Sequence, residues 1–155
     1  VETAGECTER VLVPLLTLAE LALHEGRPPE ALAAVARFRA SCGEFRTLLI
    51  EARRLEARAW AATGRPVEAE AALREVMRQA EASKVPPTRW RATLDLAALL
   101  DREGRSAEAH SEAQRVLAEL GAFAAALPEE PLGRSFAQSE LMRRATGLAA
   151  SATTT

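Results

Sequence analysis

Arginine is the residue type with most chemistry in this chain. Lys and Arg together number 20, and Lys84 is the single lysine. Arg54 and Arg58 are one helical turn apart and share a face. A planar guanidinium binds carboxylates bidentately, so cations in this pattern point to capture of acidic groups on a partner. Other chemistry finds little support. His24 and His110 are the only histidines, and neither has the Cys or acidic spacing of a zinc site. They read as surface or inter-helix residues, and no metal or cofactor is expected. Cys42 has Arg39 and Arg46 near in sequence, but beside Gly43 at a helix end it reads as a loop thiol. The eight glycines are scattered singly, without a phosphate-cradling or dinucleotide pattern. No nucleophile elbow occurs. The carboxylates of Glu129 and Glu130 lie in a proline-bounded, solvated loop. The chain is expected not to be an enzyme.

These side chains must be held by something, and the bulk numbers bound what that is. At 155 residues and 48% hydrophobic content, the chain suffices for one domain with a real core. A charged fraction of 27% and net charge of -2 match neither a nucleic-acid-binding protein nor an acidic tail. No apolar run reaches the roughly 20 residues that span a bilayer, and no basic-then-apolar leader opens the chain. Neither nucleic acid nor membrane is expected as a partner. With Cys7 and Cys42 as the only cysteines, a reduced, cytoplasmic setting is the default. The first residue is Val1, so the chain reads as a piece of a larger, multidomain polypeptide. The near-absence of Lys reads as codon composition of a high-GC genome.

Alanine is about a fifth of the residues and aromatics only 4%, so close helix packing through small side chains is the available route to a core. Ala, Leu, Arg and Glu are also strong helix formers. One phrase recurs three times: Gly26-Arg27-Pro28-Pro29-Glu30-Ala31, Gly64-Arg65-Pro66-Val67-Glu68-Ala69 and Gly104-Arg105-Ser106-Ala107-Glu108-Ala109. Its spacings are 38 and 40 residues, which marks a repeat architecture.

Each phrase sits between two helical patterns. Leu12, Leu15, Leu16, Ala19 and Leu23 recur at helical spacing before Gly26. Gly26 is placed as a left-handed cap, and Pro28 suits the first turn of the next helix. That helix carries Ala31, Leu32, Val35 and Phe38 and stops near Ser41-Cys42-Gly43. Leu48, Leu49, Ala52, Leu55, Ala59 and Trp60 line the third helix. The run Leu48-Leu49-Ile50 reads as core, with one member able to reach a neighbouring domain. Ala69, Leu73, Val76 and Ala80 line the fourth. Val85-Pro86-Pro87-Thr88 breaks the chain, with Thr88 as a cap or Pro87 in a first turn. Trp90, Leu94, Leu96, Ala97 and Leu100 serve the fifth helix. Ser106 caps the sixth, which Gly121 ends. After it come a short turn over 123–127, a breaker at Pro128-Glu129-Glu130-Pro131 and one more helix over 134–144.

The arrangement resembles tetratricopeptide (TPR) repeats. Gly26, Gly64 and Gly104 match the turn between the two helices of that repeat. Ala31, Ala69 and Ala109 match the small position of the second helix, and Ala19, Ala57 and Ala97 that of the first. Trp60 and Leu100 match the large position three residues further on, which Ala22 holds in the first unit. The units are longer than the usual 34 residues. In this they are similar to the C-terminal TPR regions of large bacterial signalling ATPases and regulators, and 126–136 looks like the end of such a region. The resemblance implies an all-α, right-handed solenoid of about three hairpins, over about 8–42, 44–83 and 87–121. A capping segment over 123–145 completes a domain of 1–145, and 146–155 forms a flexible tail.

In such stacks the first helix of each unit lines a concave groove. Alignment on the turn glycines puts Leu16, Glu20, Leu23 and His24 there from the first unit. The second supplies Glu51, Arg54, Arg58 and Ala61, and the third Arg91, Leu94, Ala98, Asp101 and Arg102. The arginines would clamp carboxylates of a partner, although Glu20, Glu51 and Asp101 are placed to neutralise them within the stack. The expected function is a protein–protein interaction module, a scaffold or regulatory domain that binds a partner peptide or protein in the groove. Two alternatives stand beside it. One is a ligand- or peptide-sensing regulatory domain of a signalling ATPase or transcription regulator. The other is a self-association module, with homo-oligomers formed through the apolar ends of the stack.

Overall fold

The computed structural model describes the backbone of residues 4–41, 45–128 and 130–151, and side-chain environments from Leu12 on, those of Pro131 onward included. Among the described residues every element is a helix: α1 Ala4–His24, α2 Pro28–Ser41, α3 Arg46–Ala62, α4 Pro66–Ala82, α5 Pro86–Arg102, α6 Ser106–Ala125, α7 Glu130–Ala137 and α8 Glu140–Ser151. They fall into two compact units, Val1–Arg89 and Trp90–Thr155.

The three repeated turns are built alike. Gly26, Gly64 and Gly104 have φ of 71°, 77° and 77°, in the left-handed region that a Cβ disfavours. In each, the following Arg donates its backbone N–H to the carbonyl five residues back: Arg27 to Ala22 at 2.7 Å, Arg65 to Trp60 at 2.9 Å and Arg105 to Leu100 at 2.9 Å. These bonds satisfy carbonyls that the helix end would otherwise orphan. The turn from α4 to α5 has the same geometry, Val85 N–H to Ala80 at 2.8 Å, but the left-handed residue is Lys84, at φ 54°.

In the first unit, α1 packs on α2 and α3, α2 on α3, and α3 on α4. Ala19, Ala31, Ala57 and Ala69 are completely buried, so small side chains hold the places where helices meet. Leu12, Leu15, Leu16, Val35, Phe38 and Leu55 fill one continuous cluster, with Leu48 and Leu49 packed against it. Ile50 is also buried, whereas Leu48 and Leu49 are part-buried.

The second unit departs from the sequence reading in three places. Helix α6 does not stop at Gly121 but runs on to Ala125. The extra turn carries Phe123, whose ring meets Trp90 at 5.5 Å and Phe136 at 5.0 Å. Aromatic pairing offsets the cost of a glycine inside a helix, about 1 kcal/mol relative to alanine. The single helix expected over 134–144 is two, α7 and α8. Ser139 separates them, and its Oγ accepts the backbone N–H of Met142 at 3.3 Å, an N-cap for α8. Helix α8 continues to Ser151, with Ala149 buried against Ala97 and Ala113. Its Arg144 donates from Nη2 to Asp95 Oδ1 of α5 at 2.6 Å. Of the two readings of the start of α5, the proline one holds: Pro87 sits in its first turn, and Thr88 lies inside the helix and is buried. Ser106 is the first residue of α6, and its hydroxyl donates to Asp101 Oδ1 at 3.0 Å instead of capping the helix. Cys42, Gly43 and Glu129 lie outside the described residues, and the side chains of Cys7 and Glu130 lie outside the described environments.

Candidate functional site

The residues read from the sequence as groove residues divide between the two units. Four are brought together in the first. Glu20 comes from the last turns of α1, and Glu51, Arg54 and Arg58 from successive turns of α3. Arg54 donates from Nε and Nη2 to Glu51 Oε1 at 2.9 and 2.7 Å, and from Nη2 to Glu20 Oε1 at 3.1 Å. Arg58 Nη1 reaches the same Glu20 oxygen at 3.4 Å. One carboxylate of α1 thus joins two guanidiniums of α3.

Arg54 is only 1% exposed and is the largest fully buried side chain among the described residues. A buried guanidinium is tolerable only with its charge compensated and its N–H groups bonded, and Glu20 and Glu51 do both. Arg54 therefore belongs to the interior, where it ties α1 to α3. The outer layer of the cluster is Glu20, with 52% side-chain exposure, and Arg58, with 27%. His24, in the last turn of α1, is exposed beyond them.

The other members lie on α5. Leu94 is completely buried and packs with Trp90, Val116, Leu120 and Ala145. This corrects its reading as a groove residue: at its turn of α5 the helix faces α6 and α8. Leu16 is likewise buried. Asp101 accepts the Ser106 hydroxyl. Arg91 is exposed, as is Arg102, whose Nε donates to the Ala98 carbonyl at 3.3 Å.

A second cationic cluster was not foreseen as a site. Arg39 of α2, Arg46 and Arg53 of α3 and Arg78 of α4 line a pocket of about 500 Å³ floored in part by Leu49 and Ile50. Its sequence signal is the spacing Arg46, Leu49, Ile50, Arg53, one stripe of a helix. Glu75 sits at its edge. Hydrogen bonds from Arg78, then from Gln79, hold the Glu75 carboxyl down at about 2, and the charge of Arg53 adds to the effect.

Among the described residues, no three His, Cys, Asp or Glu side chains come together as metal ligands, and no helix is long and apolar enough to cross a membrane. His110 is half-buried, with its Nδ1 unpaired.

The tetratricopeptide-repeat family model matches residues 12–37, 50–75 and 90–115. The three segments together span half of the chain, and each ends its first helix at one of the left-handed glycines. The chain belongs to the tetratricopeptide-repeat family. Comparison with curated proteins and with solved structures gave no match. Its matched segments begin 38 and 40 residues apart, the spacing of the glycine phrases. This TPR protein thus has an all-helical repeat fold of a family whose members are generally protein-interaction modules and typically non-enzymatic scaffolds.

Proposed function

We propose that this TPR protein holds a partner protein or peptide on the face formed by α1 and α3. The observation that carries the reading is the layered cluster on α1 and α3. Buried Arg54 fixes Glu20, and Glu20 in turn orders the half-exposed Arg58. A preordered guanidinium loses little entropy when it meets a carboxylate. Exposed His24 extends the recognition surface in this reading, while Arg54 acts from beneath it; on α5, exposed Arg91 and Arg102 and part-buried Asp101 are contact candidates of their own, above buried Leu94. The module serves as a scaffold or regulatory domain, and the long repeat units support its attachment to a bacterial signalling ATPase or regulator.

Peptides selected from a displayed library on the intact protein test this directly. Reversal of the part-exposed charge, Arg58→Glu, should weaken the selected peptides at least tenfold while helicity stays unchanged. Undiminished binding would place recognition elsewhere and overturn the reading.

One observation favours self-association as a second reading. Val13, Leu18 and Leu21 on α1 are 49, 52 and 48% exposed, an apolar surface of a kind that often marks an interface. In sedimentation, a concentration-dependent mass abolished by Leu18→Glu with Leu21→Glu would support it, and a constant monomer mass would remove it.

A further inference from the structure

Helix α3 carries a second stripe, about a third of a turn round the axis from Arg54 and Arg58. Arg46, Leu49, Ile50 and Arg53 form it, and with Arg39 and Arg78 they line the 500 Å³ pocket. That volume lies within the range of ligand sites, roughly 300–1,000 Å³. Two of its four cations are compensated: Arg39 Nη2 pairs with Glu56 Oε2 at 2.9 Å, and Arg78 Nη2 with Glu75 Oε1 at 2.5 Å. Arg46 and Arg53 have no ion pair or hydrogen bond to a described residue, and the buried Nε of Arg53 has no acceptor. A buried donor without an acceptor costs free energy that a ligand oxygen would recover. Among the described residues neither guanidinium makes an ion pair or hydrogen bond, Glu75 acts on Arg53 only through its charge, and an apolar floor lies between the two.

Their spacing restricts what fits. Seven residues of helix place the Cα atoms of Arg46 and Arg53 about 10 Å apart along the axis. A compact anion meets one of them, whereas an organic anion with separated charges meets both. The surroundings disfavour a polyanion. Glu56 and Glu75 flank the pocket and the whole chain has a net charge of -2, so the extended positive field that nucleic acid needs is missing.

We propose that this pocket binds an organic dianion with two carboxylates about 10 Å apart on either side of an apolar body. Leu49 packs under the body while Arg46 and Arg53 each take one carboxylate. Two sources share this chemistry: a free straight-chain dicarboxylate, or two acidic side chains three residues apart in a polyproline II segment, which has three residues per turn, rises about 3.1 Å per residue and so keeps both on one face. The site uses neither Arg58 nor Arg91, so it stands or falls apart from the reading of the first-helix face.

Titration of the intact protein with three probes, followed by the methyl resonances of Leu49 and Ile50, tests the proposal. The probes are nonanedioate, the blocked tetrapeptide Glu-Pro-Pro-Glu and inorganic phosphate. At least one two-carboxylate probe should shift the methyls at concentrations where phosphate does not. Nonanedioate binding identifies a free metabolite as the source, and binding of the peptide alone identifies a protein segment. Arg46→Gln and Arg53→Gln should each weaken that probe roughly tenfold, whereas Arg37→Gln, on an exposed side chain of α2 outside the pocket, should not. Circular dichroism confirms that the variants stay folded. The proposal fails if neither probe binds, if phosphate binds as well, or if binding survives both pocket substitutions.

Discussion

Two stripes of α3 carry the same residue types and meet opposite fates. On one, Arg54 is buried and bonded to Glu51 on its own helix and to Glu20 on α1. On the other, Arg53 is the next residue in the chain, half-buried, with its Nε lacking an acceptor. Intrinsic chemistry cannot account for the contrast, because both are arginines in the middle of one helix. What differs is the neighbour. Helix α1 brings a carboxylate to one stripe, while the acids near the other, Glu56 and Glu75, are bonded to Arg39 and Arg78. An arginine here is structural or available according to which acid the adjacent helix supplies.

The strongest way to break this contrast is to truncate each arginine. Arg54→Ala should destabilise the protein by about 3 kcal/mol, because it removes the buried cation that Glu51 and Glu20 share and opens a cavity. Arg53→Gln should change stability by less than about 0.5 kcal/mol. Chemical denaturation of the two variants, side by side, measures both. Equal costs would mean that burial of Arg54 contributes nothing special.

Glu20→Gln sharpens the comparison at the next level. Arg54 keeps Glu51, and half-exposed Glu20 is partly screened by solvent, so a loss of about 1 kcal/mol is expected. The same variant should weaken one of the contacts that hold Arg58, visible as faster exchange of its guanidinium N–H groups. An unaltered Arg58 resonance would show that Glu20 does not order it.

The smallest effect concerns the pocket edge. Glu75 should titrate at about 2, below its ordinary 4.5, and carboxyl carbon shifts would record it. A depressed folded value means that its contribution to stability is present above the ordinary value and fades as pH falls from about 4.5 to about 2. Arg78→Gln removes the first cause and should return Glu75 most of the way to 4.5, whereas Arg53→Gln should move it less. A larger response to Arg53→Gln would reverse the assignment of which cation Glu75 serves.

Local features were legible in the chain because local physics sets them. The left-handed glycines, the alanine contacts and the boundaries of α2, α3 and α4 depend on residues a few positions apart. Lys84 shows the limit. It adopts the glycine conformation without a glycine's signature. Gly121 shows the converse: it reads as a stop, yet the rings of Trp90, Phe123 and Phe136 carry α6 past it. Ser139, a cap with an ordinary signature, was hidden inside a pattern that reads as one helix.

The candidate sites divide in the same way. That Arg54 and Arg58 share a helical face follows from their spacing alone. That Arg54 is interior, Leu94 is core and Arg53 opens onto a pocket follows from residues 20 to 50 positions distant. Glu20 meets Arg54 across 34 residues and Asp95 meets Arg144 across 49. The sequence by itself determined the repeat, the turns and the small residues that let helices approach. Only the tertiary structure decided which charges cancel and which remain available, because burial and pairing belong to the packed neighbours of a side chain and not to the side chain itself.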